Sequence, residues 1–355
     1  LQASLPSYVG TSGQGSSGRP WVNLGSLENK GIELTLNTVN ISRNKFQWHS
    51  NFVFTLNRNK VLSINTQTGE DVRSIDDSSW GATGSTIINR TVVDQPIGQF
   101  YGYQIIGRFE KATDFYYKDN EGAVKPVPVM SDLPIDEQNG LWIGDYIYKD
   151  QNHDDVIDQK DRTFIGNPEP IFTYGIGNTF TYRNFELSVF LTGSYGNDVI
   201  NYARRYMGNP RRNISNLFEY AIDYAKTGLI DPNVSNDYRN VKIIGGDPHM
   251  SRLPQSTATS DYDFAFSDRF VEDGSYLRIQ NISLGYTFPK KWISNIGIAN
   301  LKVYANLQNV YTFTKYSGFD PEVGISYSAG NQLNGVDNGR YPSPRIYTVG
   351  VNVTF

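Results

Sequence analysis

Strict two-residue alternation of apolar and polar side chains constrains this chain more than any other feature. In IYTVGVNVTF, residues 346–355, Tyr347, Val349, Val351, Val353 and Phe355 fall on one side, and Thr348, Gly350, Asn352 and Thr354 on the other. That period is the signature of a strand with one apolar and one polar face. FQWHSNFVFTLN repeats it, with Phe46, Trp48, Phe52, Phe54 and Leu56 opposed to Gln47, His49, Asn51, Thr55 and Asn57. GIELTLNTVN precedes it with Ile32, Leu34 and Leu36 in phase, and the short SRNK turn makes the two a hairpin. A second hairpin reads from IFTYGIGNTFTY (Phe172, Tyr174, Ile176, Phe180, Tyr182) into FELSVFLTGSYG (Phe185, Leu187, Val189, Leu191), with only Arg183 and Asn184 between. LKVYANLQNVYTF aligns Leu301, Val303, Ala305, Leu307, Tyr311 and Phe313. In YLRIQNISLGYTF the phase is clean from Ile282 to Phe288, but Arg278 and Gln280 interrupt it upstream, so that upper half is expected to stand clear of lipid.

Composition narrows the kind of sheet. Mean hydropathy is −0.46, and no run of eighteen apolar residues could form a membrane helix. Yet aromatics reach 14%, with 24 Tyr, 19 Phe and 5 Trp. A transmembrane β-barrel reconciles the two, because only alternate residues meet lipid while aromatics mark the interfaces. With 32 basic against 36 acidic residues there is no basic stripe to neutralise phosphates, which argues against nucleic acid as a partner. Cysteine is absent, so disulfides, thiolate metal sites and a thiol nucleophile are excluded. LQASLPSYVGTSGQGSSG reads as a polar Gly/Ser-rich loop and not as a signal peptide.

The expected fold class is all-β. Nine antiparallel strands are predicted near 31–42, 45–58, 84–93, 99–109, 171–182, 185–197, 270–288, 301–314 and 345–355. Their joins alternate short and long, the long ones near 59–84, 110–170, 198–269 and 315–344. Short periplasmic turns and long outer loops are the barrel pattern, which places residues 1–30 outside as an extracellular loop and 31–355 in the wall. Nine strands leave two unpaired edges, and a bacterial single-chain barrel closes on an even number. The expectation is a section of a larger barrel.

ENKGIELTL (28–36), PIGQFYGY (96–103), the stretch from GDYIYKDQNHDD to GSYGND (144–198), DGSYLRIQNISLGYTFP (273–289) and YPSPRIYTVGVNVTF (341–355) together resemble the C-terminal part of the SusC-like TonB-dependent transporters of Bacteroidetes. The resemblance runs over nearly the whole chain. It implies a barrel of about twenty-two strands, with the N-terminal plug and earlier strands outside this chain. It also implies a SusD-like surface lipoprotein as a lid, import of oligosaccharides or oligopeptides, power from the TonB complex, and a place in the bacterial outer membrane.

The sharpest local motif is KDQNHDDVIDQKDR. Counting Asp150 as position 1 puts Asn152 at 3, Asp154 at 5, the Val156 carbonyl at 7, Asp158 at 9 and Asp161 at 12. This is the oxygen spacing of a twelve-residue calcium loop, with apolar Ile157 as anchor. Asp155 stands where Gly usually supplies a positive φ, and Asp161 is shorter than the usual bidentate Glu, which points to weaker or Mg²⁺-tolerant binding. The expected cofactor is a structural Ca²⁺; the competing reading is a solvated acidic turn held by Asx hydrogen bonds. The resemblance favours the ion, through a similar D-x-N-x-D-G-x-I-D stretch.

Other candidates are thinner. Trp80 and Trp142, in predicted outer loops, are candidates to stack on sugar rings. Arg204 and Arg205, with Arg211 and Arg212 nearby, are candidates for ligand contact, against the commoner solvated loop face; VINYARRYM and NLFEYAIDYAKTG read as short helices. Trp21, Trp48 and Trp292 suit the core or an interfacial girdle. GQGSSG (13–18) has no strand before it and no helix after it, so it is no dinucleotide loop. His49, His153 and His249 form no metal pair, and no G-x-S-x-G or H-E-x-x-H occurs, so no catalysis is expected. Phe355 is expected at the periplasmic interface as an assembly signal. Two alternatives remain open, a secreted β-sandwich glycan binder or adhesin and an extracellular polysaccharide hydrolase.

Overall fold

The computed structural model describes residues 2–4, 21–23, 25–64, 74–76, 87–130, 132–209, 216–255, 257–328 and 331–355. Seven strands form one antiparallel sheet: β1 (Gly25–Arg43), β2 (Phe46–Ile64), β3 (Phe172–Tyr182), β4 (Phe185–Tyr195), β5 (Tyr276–Thr287), β6 (Asn300–Thr314) and β7 (Ile346–Thr354). Each pairs with its neighbour in sequence, so β1 and β7 are the edges and the sheet does not close.

Register explains why alternation builds a wall. Directly opposed residues share a face. Leu36 pairs with Phe52, Phe52 with Ile176, Ile176 with Leu191, and Leu191 with Ile279. Ile279 then meets Tyr311. Lower down, Leu187 meets Leu284, Leu284 meets Ala305, and Ala305 meets Val349. One face is therefore apolar across all seven strands, and many of its side chains are exposed, Leu36, Leu284, Tyr311 and Val349 among them. The opposite face carries Asn37, Asn51, Gly177, Thr192, Ser283 and Asn306. No helix among the described residues is long and apolar enough to cross a membrane, which says nothing of crossing by strands.

Two strand expectations are corrected. The described parts of the segments near 84–93 and 99–109 do not enter the wall, so among the described residues it holds seven strands where nine were expected. Asn89–Val92 and Gln99–Gly102 lie in a separate four-stranded sheet with Ser74–Asp76 and Thr163–Gly166. Each is four residues long, about 13 Å, whereas a crossing strand needs about nine residues. Both also turn residues into the protein interior, with Asn89, Thr91 and Phe100 buried. The expected loops at 59–84 and 110–170 thus merge into one connection between β2 and β3. Conversely, β1 and β2 run to Gly25 and Ile64, some six residues beyond the expected ends.

The second correction concerns β5. Its upper half does not leave the apolar face, because Gln280 is a β-bulge: pairing with β4 steps from Leu191↔Ile279 to Phe190↔Asn281, which leaves Gln280 without an opposite residue there. One extra residue resets the phase, so Leu277 and Ile279 share a face with Ile282 and Leu284. The other neighbour, β6, absorbs the step at Asn309, whose φ is 51°, and Gln280 donates to the Asn309 side chain at 3.0 Å.

Short and long joins alternate as expected. β1–β2 and β3–β4 are joined by two residues each, and Arg183 takes φ 52° in the second turn. β5–β6 is joined through Lys290–Ile293, a short helix, and a turn ending at Gly297 with φ 75°. The described residues of the three long connections, 65–171, 196–275 and 315–345, pack into one layer at the other end. Asp198–Asn201 pairs with Val271–Asp273 and, in parallel, with Val336–Asp337, stitching the second connection to the third. Ile88 and Phe100 from the first, Ile200, Phe264 and Phe270 from the second, and Val336 from the third form one buried cluster. A second cluster gathers Phe109, Leu141, Ile143, Tyr148, Ile157 and Tyr262. The molecule's core therefore sits in its connections, because both large buried clusters lie there and the wall strands contribute few buried apolar residues, Val61 and Ile64 of β2 among them.

Candidate functional site

The acidic turn folds between Tyr146–Tyr148 and the one-turn helix Gln159–Asp161. Asp150, Asp154 and Asp161 each bring a carboxylate oxygen within 4.8 Å of the others. Backbone amides hold them there: His153 N–H and Asp155 N–H donate to Asp150 at 2.6 and 3.0 Å, and Val156 N–H donates to Asp154 at 3.2 Å. Asp161 is fully buried and receives Gln151 N–H at 2.9 Å and Asp158 N–H at 2.7 Å. His153 and Asp155 take φ of 60° and 64°, the left-handed turn expected at Asp155. The Asp155 side chain leaves the loop for Tyr117 and Lys125, and Ile157 is buried as the anchor.

The remaining ligand candidates are less convergent. The Asp158 carboxylate accepts from Lys160 N–H at 2.7 Å, and Asn152 Nδ2 donates to Asp154 at 2.9 Å. Val156 turns its side chain outward, half exposed. The Lys160 ammonium lies 3.7 Å from Asp154 and 3.5 Å from Asp158. Three clustered carboxylates with the Asn152 amide beside them suit a hard, oxygen-seeking cation, and the lysine supplies part of the same neutralisation.

Trp142 corrects an expectation. Its ring is 4% exposed inside the second cluster, between buried Leu141 and Ile143, so it cannot stack on a sugar. Trp80, Arg211 and Arg212 lie outside the described residues. Arg204 pairs with Glu272 at 3.0 Å and lies 4.8 Å from the Tyr220 ring centroid. Arg205 lies over Tyr202 at 5.6 Å. Both stand in Ala203–Met207, a single helical turn, while the second expected helix is a 3₁₀ turn, Glu219–Asp223, followed by the strand Lys226–Leu229. Both arginines thus engage protein. Trp48 stacks on Phe180 at 5.6 Å near the short turns, Trp292 is exposed there, and Phe355 is 89% exposed beyond β7.

Sequence reasoning missed the buried ion pairs of the connection layer. Arg252 Nε donates to Asp145 at 2.7 Å, while its Nη atoms donate to the Glu137 and Gly140 carbonyls at 2.6 and 2.9 Å. Arg278, on the polar face of β5 and 3% exposed, binds Asp320 at 2.5 Å, Glu322 at 2.7 Å and Thr312 at 2.8 Å. It ties the third connection to the wall. The available signal was an arginine in a polar phase opposite a later D-P-E run, but partners more than forty residues apart carry no local mark.

No family model matches the chain. Among curated proteins, it is 30% identical to TonB-dependent receptor P3 of Formosa agariphila, over 99% of this chain and 30% of the relative. TonB-dependent receptor P26 of the same organism is 28% identical over all of this chain and 31% of its own length. TonB-dependent receptor SusC of Bacteroides thetaiotaomicron is 26% identical over 94% of the chain and 27% of its own. The chain thus spans under a third of these relatives. Among solved structures, the RagAB peptide transporter superposes with a TM-score of 0.64 over 95% of this chain and 30% of that one, at 19% identity. The 'open-open' state of the RagAB peptide importer gives 0.59 over the same shares, at 18% identity. Near-full-length similarity and a shared sheet agree: over nearly all of its length this chain is similar to TonB-dependent receptors, SusC among them.

Proposed function

We propose that this chain supplies barrel wall and outer loops to an outer-membrane importer of oligosaccharides or oligopeptides. The observation that carries the reading is the seven-strand sheet with one continuous apolar face and one polar face. An apolar face of that extent suits hydrocarbon, and a polar face suits a filled or watered lumen. The packed connection layer at one end then faces outward. A SusD-like lipoprotein covers it, ligand is captured between lid and loops, and the TonB complex drives entry through parts of the receptor outside this chain. The relatives bear receptor and transporter names, and the chain is not an enzyme. Phe355 continues the outward row of Tyr347, Val349, Val351 and Val353, and supplies the aromatic rim at the periplasmic side that assembly reads.

Within the outer layer, Asp150, Asp154 and Asp161, with Asn152, the Val156 carbonyl and Asp158 completing the shell, hold a structural Ca²⁺; Mg²⁺ fits less well, because it demands a tighter octahedron. The ion would neutralise the turn and brace it against the hairpin that Asp155 contacts.

The experiment is fractionation of native cells combined with affinity purification of the complete receptor. The expected result is recovery from the outer membrane, only with detergent, together with a surface lipoprotein, and uptake of an oligomer pool that stops when TonB is depleted. Recovery as a soluble secreted monomer would instead favour the β-sandwich binder.

A further inference from the structure

A cleft of about 600 Å³ opens in the connection layer beside the strand Ile105–Arg108, away from the acidic turn. Gly107, Arg108, Tyr146, His249, Asp268 and Arg269 line it. Its two arginines are held by the protein in ways that leave donors over. Arg269 lies across the rings of Phe264, Tyr146 and Phe270 at 4.7, 4.9 and 5.1 Å, and its Nη1 donates to the Asp263 carbonyl at 2.9 Å. Its Nε and Nη2 have no partner among the described residues. Arg108 Nη1 donates to the carbonyls of Asp247 and Met250 at 2.9 and 3.1 Å, and Nε faces Glu110 at 3.3 Å. Its Nη2 is likewise left over.

The acids that line the cleft offset Arg108 but leave Arg269 without an ion pair among the described residues. Glu110 is matched to Arg108. Asp268 turns its carboxylate to the Ile105 N–H, at 3.2 and 3.3 Å, and burial raises its pKa. Asp263, behind Arg269, is fully buried and neither carboxylate oxygen has a hydrogen-bond partner. Burial pushes its carboxyl well above the ordinary range, the Asp145 charge adds to this, and Arg252 and Arg269 oppose it. Among the described residues no carboxylate forms an ion pair with Arg269, whose guanidinium is fixed on aromatic faces with a planar edge free.

We propose that this cleft binds the carboxylate of an acidic ligand through the free edges of Arg269 and Arg108. The carboxylate could be carried by an acidic oligosaccharide or by an acidic peptide. The inference rests on the importer reading for why such a ligand arrives, and on the cleft alone for its chemistry. Binding is therefore measured on purified receptor without transport, and its failure is separable from failure of the importer reading.

The test is calorimetry on the complete receptor in detergent at low salt, with trigalacturonate against its methyl ester and triglutamate against triglutamine. At least one acid should bind at least about tenfold more tightly than its uncharged counterpart, and added NaCl should weaken it. Arg269→Gln should lose that margin. Because Arg269 also supports three rings, Gly107→Asp is the second variant. A Cβ there meets nothing within 4 Å, so the new carboxylate adds negative charge to the cleft without disturbing packing. It should weaken the acid at least about tenfold at unchanged melting temperature. Acid and uncharged counterpart binding alike, neither acid binding, or Gly107→Asp binding as wild type would each overturn the proposal.

Discussion

Asp155 illustrates what a single residue reveals and conceals. Its position in a twelve-residue oxygen pattern marked a left-handed turn, and its φ of 64° follows from the carboxylates it must bring round. What the pattern could not show is that its side chain leaves the loop for Tyr117 and Lys125. Trp142 makes the same point in reverse: indole burial depends on which loop lies over it, and that is decided more than a hundred residues away, where Tyr262 joins the same cluster. The turn itself gives a direct prediction. In Asp150→Ala with Asp154→Ala, two of the three converging carboxylates are gone. Calcium affinity of the complete receptor should fall at least about tenfold, about 1.4 kcal/mol, and hydrogen exchange should quicken over residues 146–161. Unchanged calcium content by elemental analysis would leave the turn as an Asx-bonded loop neutralised by Lys160.

At the scale of the element, the legibility of the strands tracked their surroundings. Strands with one face exposed, such as β2, β3 and β7, declared themselves because alternation is forced on every residue. The short strands Asn89–Val92 and Gln99–Gly102 alternate too, but within a layer buried by its own connections, so the same period misplaced them in the wall. The bulge at Gln280 was invisible for another reason: a two-residue rule reads a bulge as an interruption, although the chain uses it to stay in phase. Deleting Gln280 tests this. Removal of the extra residue should turn Leu277 and Ile279 to the polar face and Arg278 away from Asp320 and Glu322, one of them a buried partner. Breaking a buried pair costs about 3–5 kcal/mol. The variant should therefore assemble poorly, while Gln280→Ala, which keeps the bulge and loses one side-chain hydrogen bond, should assemble nearly normally. Equal assembly of both would show that the bulge does not set the phase.

Across the whole molecule, the distribution of burial is inverted relative to a water-soluble sheet protein. The wall contributes few fully buried apolar residues, whereas the connection layer holds both large clusters. A soluble sandwich would place its core between sheets, yet here nothing among the described residues covers the apolar face. On the proposed importer reading lipid is the solvent that stabilises such a face, and the prediction follows from adjacent residues on one strand. Leu284 points from β5 to the apolar side, half exposed, and Ser283 points to the polar side. Leu284→Arg places a guanidinium in hydrocarbon at a cost of about 2–4 kcal/mol near the bilayer midplane. Ser283→Arg places the same charge in the lumen, where water or protein dipoles can meet it. Heat-modifiable migration on gels and outer-membrane yield should fall sharply for the first variant and little for the second. If both variants assembled alike, the apolar face would have to be covered by protein, and a soluble two-sheet arrangement would account for the alternation as well as a membrane wall does.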